Sequence, residues 1–248
     1  MKSKIILGVI ISLVVAFIGL VIFNQDDTAD YLRLAILPLV TVYYSLSSNK
    51  RTSFFFYFLL LYSIGEIITV LYYFIPLTLL IDNILYFLGN SLYIIAYGFL
   101  IFEILRSMNF SKIFSRFAVH LIILFALDVY CIALVSDVTI KSGVLENIYE
   151  NILEVVYNMT IMLLLTAALI NYLYRDSKKS MNLLVGALCI VFSEVIQVAY
   201  FYVSEIPMLS VVYSLLLVMA FLFFYIQNSM TYQYHEMHKK QKINELKA

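Results

Sequence analysis

The stretch that decides the fold is Ser63-Ile64-Gly65-Glu66-Ile67-Ile68-Thr69-Val70-Leu71-Tyr72-Tyr73. It lies in a run from Phe54 to Pro76 that is apolar or weakly polar except for Glu66. A run of this length and hydrophobicity predicts a helix that crosses a membrane. A carboxylate at membrane depth is costly, so Glu66 is a candidate functional residue.

The composition extends this interpretation to the whole chain. Hydrophobic residues make up 63% of the 248 residues and charged residues only 13%, against the roughly 25% that is usual in soluble domains. Several apolar runs of this kind indicate a polytopic membrane protein. The runs do not alternate as barrel strands do, so we expect an all-α bundle. A formal net charge of zero gives no indication of a nucleic-acid partner.

Eight spans are predicted along the chain. They are Ile5–Phe23, Tyr31–Leu46, Phe54–Ile75, Asp82–Leu105, Phe117–Val135, Leu153–Tyr174, Met181–Val203 and Leu209–Asn228. The segment Asp137 to Ser142 is expected to form a turn before Gly143. Residues 1–230 would then form the membrane domain, and residues 231–248 a basic tail.

The basic residues predict the orientation of these spans. Fourteen of the sixteen Lys and Arg residues fall on one side of the membrane, and only Arg33 and Lys141 fall on the other. Positively charged loops remain in the cytoplasm, so both termini and the tail are predicted to be cytoplasmic. We expect a multi-pass protein of the bacterial inner (plasma) membrane.

The phrase around Glu66 occurs a second time. Glu66-Ile-Ile-Thr-Val-Leu-Tyr-Tyr73 aligns with Glu194-Val-Ile-Gln-Val-Ala-Tyr-Phe201, half a chain further on. The third and seventh spans run in the same direction, which predicts a parallel four-plus-four duplication. Chance similarity between two apolar helices is the alternative. Both glutamates are predicted at one depth, so they could face a single cavity.

Polar residues in the other spans concentrate toward the outer side of the membrane. Residues expected to contact a substrate are Asn90, Tyr93, Asp128, Gln197 and Tyr213. Others are expected only to join helices by hydrogen bonds, namely Asn158, Thr166, Asn171 and Ser214.

The residue types favour carboxylate chemistry over other kinds of site. Two carboxylates in one desolvated cavity can divide the roles of general acid and general base. Two of the three histidines lie in the tail, and the two cysteines lie in separate spans, so we expect no metal site and no cofactor. No Gly-x-Ser-x-Gly motif is present to indicate a serine hydrolase.

Several motifs resemble those of the YhhN family of eight-span membrane proteins, whose characterised members are lysoplasmalogenases. The family has a Gly-Asp pair after Ser in the third span, where this chain has Ser63-Ile64-Gly65-Glu66. In the seventh span Gly186, Ala187, Ser193 and Glu194 stand at the family's Gly, Ala, Ser and Asp. Tyr213 corresponds to a tyrosine of the last span. The chain differs from the family in having Asn90 of Asn90-Ser91-Leu92-Tyr93 for His, and Leu37 of Leu37-Pro38 for Lys.

The resemblance implies hydrolysis of the vinyl-ether bond of a lysoplasmalogen, which gives an aldehyde and a glycerophospho-base. It implies that Glu66 and Glu194 act as the acid and the base. Asn90, Tyr93 and Gln197 would orient water or the lipid head group. The expected substrate or ligand is therefore a membrane lipid, a lysophospholipid or a lysoplasmalogen, with no soluble partner.

Two other functions remain open at this point. One is a non-catalytic lipid-binding, ligand-binding or sensor protein that signals through the basic tail. The other is a proton-coupled transporter that uses Glu66 and Glu194 as a relay. Transporters favour broken helices, whereas Pro38 is the only proline within a predicted span.

The predicted orientation can be tested with reporter fusions. A green fluorescent protein fused after Ser177 should fluoresce, and alkaline phosphatase fused after Ser204 should be active, because the two sites are predicted on opposite sides. The reverse reporter at each site is the control. Phosphatase activity after Ser177 would contradict the orientation.

Overall fold

The computed structural model describes residues 2–23, 25–47, 53–71, 74–75, 78–106, 108–145 and 147–230, and the predicted basic tail lies outside them. The described residues form eight helices. They are α1 (Lys2–Ile22), α2 (Asp26–Ser47), α3 (Phe54–Leu71), α4 (Leu79–Leu105), α5 (Phe110–Ser142), α6 (Ile148–Arg175), α7 (Lys178–Tyr202) and α8 (Pro207–Ser229). The predicted all-α class is confirmed.

The helices have the length and composition of a multi-pass membrane protein. Within the described ranges, six helices, α3 to α8, are long and apolar enough to cross a membrane. The apolar parts of α1 and α2 are shorter, Ile11–Ile22 and Tyr31–Leu46.

Six helices form a closed ring, and two pack on its outside. The ring runs through α2, α3, α4, α6, α7 and α8, and α8 closes it against α2. Helix α1 packs on the outside against α2 and α8, and α5 packs on the outside against α6 and α7. The pairs in the first half of the chain, α1–α2, α2–α3 and α3–α4, recur in the second half as α5–α6, α6–α7 and α7–α8. The two contacts between the halves also correspond, since α4 packs against α6 and its counterpart α8 packs against α2.

Capping residues explain why α6 begins earlier than predicted. The Asn147 side chain accepts a hydrogen bond from the Tyr149 amide at 3.1 Å, and the Glu150 side chain accepts one from the Asn147 amide at 3.3 Å. These reciprocal bonds satisfy amides that the first helical turn leaves unpaired. The helix therefore starts at Ile148 rather than at Leu153.

The turn predicted from Asp137 to Ser142 is wrong, because α5 remains helical through Ser142. Lys141 Nζ lies 2.6 Å from Asp137 Oδ2, one helical turn away, which suits a continuing helix. The chain turns at Gly143, whose φ of 71° places it in the left-handed region that glycine enters without a side-chain clash. Helix α3 in turn ends at Leu71, earlier than predicted, where the Leu71 carbonyl accepts the amides of Phe74 and Ile75.

Helix α5 is kinked near its start. Phe117 has φ −120° and ψ 22°, which are not helical values. The predicted fifth span begins at this residue. Beyond the kink, α5 exposes large apolar side chains such as Ile122 and Phe125, as expected of a peripheral helix that faces lipid.

The ring is filled by aromatic side chains that meet small residues. Phe58 on α3 stacks on Phe221 of α8 with ring centroids 5.2 Å apart, and both are fully buried. A β-carbon added to Gly186 on α7 would lie 2.5 Å from the Phe224 ring. Close approach of α7 and α8 therefore depends on the absence of a side chain at this position.

Gly186→Ala should destabilise the fold by about 1–3 kcal/mol, because the buried Phe224 ring has no free space into which to move. Gly98→Ala is the matched control, since a β-carbon there meets no atom within 4 Å. The control should be neutral or gain up to about 1 kcal/mol from helix propensity. Thermal unfolding midpoints in detergent micelles measure both changes, and equal midpoints for the two variants would contradict the packing argument.

Candidate functional site

Glu194 lies in the middle of α7, and its carboxyl group is held by two tyrosines. Its side chain is 7% exposed. Tyr157 of α6 donates a hydrogen bond to Glu194 Oε1 at 2.8 Å, and Tyr97 of α4 donates to the same oxygen at 3.1 Å. Hydrogen bonds of this kind offset the cost of placing a carboxyl group in an apolar interior.

The other oxygen of Glu194 is the one available to a ligand. Oε2 accepts no hydrogen bond from any described residue. It is nevertheless not fully enclosed, because it is absent from the described side-chain atoms that are buried without a hydrogen-bond partner. Glu194 also lines a groove of about 380 Å³ on the outer face of the ring. A partly accessible, unbonded carboxyl oxygen beside a groove is suited to proton exchange with a bound molecule.

This groove, the α5–α7 groove, lies between α5, α6 and α7 and is almost entirely apolar. Its polar contributors are Glu194 and Asn158, with Cys131 as a weakly polar third. Its other lining residues are Ile132, Leu134, Val135, Val138, Ile161, Met162, Val191, Val195, Val198, Ala199 and Val203. An apolar groove with two polar side chains in its wall fits the alkyl chain of a lipid and leaves a position for a polar group of the ligand.

Glu66 occupies a different position. It lies near the end of α3, is 4% exposed, and accepts one hydrogen bond at Oε1 from the Tyr93 hydroxyl at 3.2 Å. It is not among the residues that line the α5–α7 groove. The groove therefore contains one glutamate, where the sequence led us to expect a cavity shared by both.

Tyrosines connect the two glutamates through the core. Tyr93 and Tyr97 lie one turn apart on α4, and each donates to a different glutamate. The Tyr62 ring lies 4.7 Å from that of Tyr93 and 5.7 Å from that of Tyr97, so it contacts both. We call Tyr62, Tyr93 and Tyr97 the tyrosine bridge. The two glutamates accept hydrogen bonds from different tyrosines, and no bond joins their own carboxyl groups within the described residues.

Arg33 supplies a positive charge that acts on Glu66. It is half-buried on α2, and its guanidinium lies 5.5 Å from the centroid of the Tyr213 ring on α8. It attracts Glu66 electrostatically. A counter-charge of this kind lowers the cost of an ionised carboxylate within the bundle.

The residues that were predicted to contact a substrate lie in different parts of the bundle. Tyr93 donates to Glu66, and Tyr213 is buried beneath Arg33 and accepts a hydrogen bond from Ser193 at its backbone oxygen, 2.7 Å away. Gln197 is half-buried one turn beyond Glu194 but does not line the groove. The contact roles of these residues stay predictions.

Two further predicted contacts bond within the bundle. The Asn90 amide donates to the Tyr86 carbonyl of its own helix at 2.9 Å. Asp128 accepts a hydrogen bond from Thr166 at 2.7 Å, which joins α5 to α6. Neither residue lines the α5–α7 groove, and a role in contacting substrate stays a prediction for both.

Among the residues expected only to join helices, Thr166 does so through its bond to Asp128. Asn158 differs, since its amide donates to Glu154 of the same helix at 3.5 Å and it lines the groove. Asn171 and Ser214 are buried without a side-chain partner in the described part of the chain. For these three residues the sequence prediction is not supported.

The sequence left three important residues unassigned. Tyr97 and Tyr157 were visible as polar positions, and Tyr97 follows Tyr93 by four residues, which places both on one helical face. Arg33 entered only in the count of outer charges. It lies inside the predicted second span and about two turns into α2, and this position within an apolar run was the available signal.

Within the described ranges, no three His, Cys, Asp or Glu side chains lie together as a metal site would require. Comparison of the chain with protein-family models, curated proteins and solved structures finds no match. The resemblance to the YhhN family therefore stays a prediction that rests on the motifs quoted above.

The α5–α7 groove can be tested with the two native cysteines. Cys131 lines the groove, whereas Cys189 is buried on α7 away from it. In the single-cysteine variants Cys189→Ser and Cys131→Ser, N-phenylmaleimide should label Cys131 roughly tenfold faster, because only that thiol is accessible. A lysolipid should slow labelling of Cys131 and leave Cys189 unaffected. Equal labelling rates, or no protection, would contradict the assignment.

Proposed function

We propose that this protein binds a single-chain membrane lipid in the α5–α7 groove and hydrolyses it at Glu194. The observation that carries the proposal is the position of Glu194, a buried carboxyl group with one unbonded oxygen on the wall of an apolar groove. A glutamate with a purely structural role need not line a groove, and a groove that only holds lipid chains need not contain a costly buried glutamate.

The size and exposure of the groove favour one alkyl chain. Its volume of about 380 Å³ lies near the lower end of the 300–1,000 Å³ that is usual for ligand pockets. Helix α5, which forms one wall, packs on the outside of the ring and exposes apolar side chains to the membrane. A lysolipid can therefore reach the groove from the bilayer without crossing an aqueous phase.

The resemblance to lysoplasmalogenases supplies the reaction. Glu194, in its acid form, donates its proton to the vinyl-ether carbon that is not bonded to oxygen. Water adds to the carbon bonded to oxygen and gives a proton to the carboxylate, which restores the acid. The hemiacetal that forms then breaks its carbon–oxygen bond to release an aldehyde and the hydroxyl of a glycerophospho-base, with one water consumed. General acid–base catalysis of this kind contributes about 10²–10⁴-fold to a rate.

Glu66 and Arg33 would act on Glu194 from a distance. The tyrosine bridge joins Glu66 to Glu194, so the charge on Glu66 influences the acid that reacts. Arg33 balances that charge. It precedes Leu37 by four residues on α2, so it lies one turn from the position at which the YhhN family has lysine. Arg33 would replace that missing cation.

The proposal includes eight spans with cytoplasmic termini in a bacterial inner membrane, and a four-plus-four duplication. The charge distribution of the sequence supports the orientation. The recurrence of helix pairs between the halves supports the duplication, as does the presence of one buried glutamate on each of the corresponding helices α3 and α7.

A non-catalytic lipid-binding protein is the second candidate function. The absence of Glu66 from the groove lining favours it, because two carboxyl groups can divide acid and base roles only where both reach the substrate. The two candidates differ in whether bound lipid is turned over.

Turnover can be tested with purified protein, lysoplasmenylethanolamine and a coupled assay for the released aldehyde. Glu194→Gln should lower the rate by about a hundredfold or more, because the amide has no proton to donate to carbon. Glu66→Gln should lower it by a smaller factor, since Glu66 acts through the tyrosine bridge. Glu103→Gln is the control, a carboxyl group on α4 that pairs with Arg106 and does not line the groove.

The outcomes separate the two candidates. Aldehyde release that Glu194→Gln abolishes and Glu103→Gln preserves supports hydrolysis. Binding of the lysolipid without aldehyde release supports the lipid-binding alternative. Full turnover by Glu194→Gln would contradict the assignment of Glu194.

A further inference from the structure

We propose a second lipid site, for the anionic head group of a membrane phospholipid, at the opposite end of α5 from the loop that contains Gly143. A shallow pocket of about 420 Å³ lies there, lined by Ser111, Lys112, Ser115, Arg116 and Tyr174. The first four belong to the start of α5, and Tyr174 belongs to the last turn of α6. This site does not depend on the α5–α7 groove or on the proposed hydrolysis.

The chemistry of the pocket is that of a phosphate site. Lys112 and Arg116 are four residues apart, and so are Ser111 and Ser115, so each pair lies on one helical face. Two cations and three hydroxyl groups all donate to phosphate oxygens. The lining contains no carboxylate, and neither Lys112 nor Arg116 forms an ion pair within the described part of the chain. The charges are therefore available to an anion.

The surroundings of the pocket favour a lipid over a soluble phosphate. The segment before the kink at Phe117 is amphipathic: Ile113 and Phe117 are buried in the bundle, whereas Phe110 and Phe114 project outward and are 49% and 63% exposed. Exposed aromatic side chains beside basic residues are typical of a segment that lies at the membrane interface.

The location agrees with this assignment. The pocket lies at the end of the bundle that contains Arg175, Lys178 and Lys179, the end that the charge pattern of the sequence predicts to be cytoplasmic. Basic pockets between helices at this side of a membrane bind anionic head groups. Arg116 also lies 5.4 Å from the Phe117 ring, which helps to hold its guanidinium beside the kink.

The chain offers a direct probe of this site, because it contains no tryptophan. Phe114→Trp places one fluorophore next to the pocket. The full-length variant is reconstituted in phosphatidylcholine vesicles that contain brominated phosphatidylglycerol or brominated phosphatidylcholine, whose bromines quench nearby tryptophan. Both leaflets carry the probe lipid, so the result does not depend on orientation. We expect the site to prefer phosphatidylglycerol by roughly tenfold.

Variants made in the Phe114→Trp background test which charges carry the preference. Lys112→Gln with Arg116→Gln should reduce it to roughly that of phosphatidylcholine. Lys178→Gln with Lys179→Gln removes the same charge from the same end of the bundle but leaves the pocket lining intact, and should retain the preference. Size-exclusion profiles and circular dichroism establish that each variant is folded.

Three results would overturn the proposal. The first is equal quenching by the two lipids. The second is an equal loss of preference in both double variants, which would indicate general surface attraction rather than a site. The third is relief of phosphatidylglycerol quenching by millimolar inorganic phosphate at constant ionic strength, which would assign the pocket to a soluble anion.

Discussion

Hydrogen bonds from tyrosine hydroxyls to two buried glutamates are the constraint on which the interior of this bundle depends. Glu66 and Glu194 lie on separate helices, and each would be costly if left without a partner in an apolar core. Tyr93 and Tyr97, one turn apart on α4, reach one glutamate each. Helix α4 therefore lies between α3 on one side and α6 and α7 on the other. Its rotation about its own axis must direct both tyrosines toward their glutamates.

The arrangement of the ring follows from the same requirement. Tyr157 adds a second bond to Glu194 from α6, which ties α6 and α7 to α4 through a single carboxyl oxygen. Among the hydrogen bonds of the described residues, none joins helix α5 to this network, and the Asp128–Thr166 bond is the one that its side chains form with α6. It packs outside the ring, and the space between it and the ring is the groove that Glu194 lines.

Much of the fold was predictable from the sequence because membrane helices are specified by length and apolarity. Each predicted span coincides with one of the eight helices, of which six, α3 to α8, are long and apolar enough to cross a membrane, and the kink of α5 falls at Phe117, where the fifth span was predicted to begin. The error at Asp137 to Ser142 arose because polar residues after an apolar run resemble a turn. In the structure an ion pair between Lys141 and Asp137 keeps that segment helical until Gly143.

The sequence by itself determined the all-α membrane class and the unusual status of Glu66 and Glu194, because a charged group within an apolar run is visible without coordinates. Only the tertiary structure decided that Glu194 lines a groove and Glu66 does not, and that Arg33 of α2 packs against Tyr213 of α8. The physical reason is that helix rotation and neighbour choice depend on contacts between residues far apart in the chain, such as Tyr97 and Glu194, and no local pattern encodes those contacts.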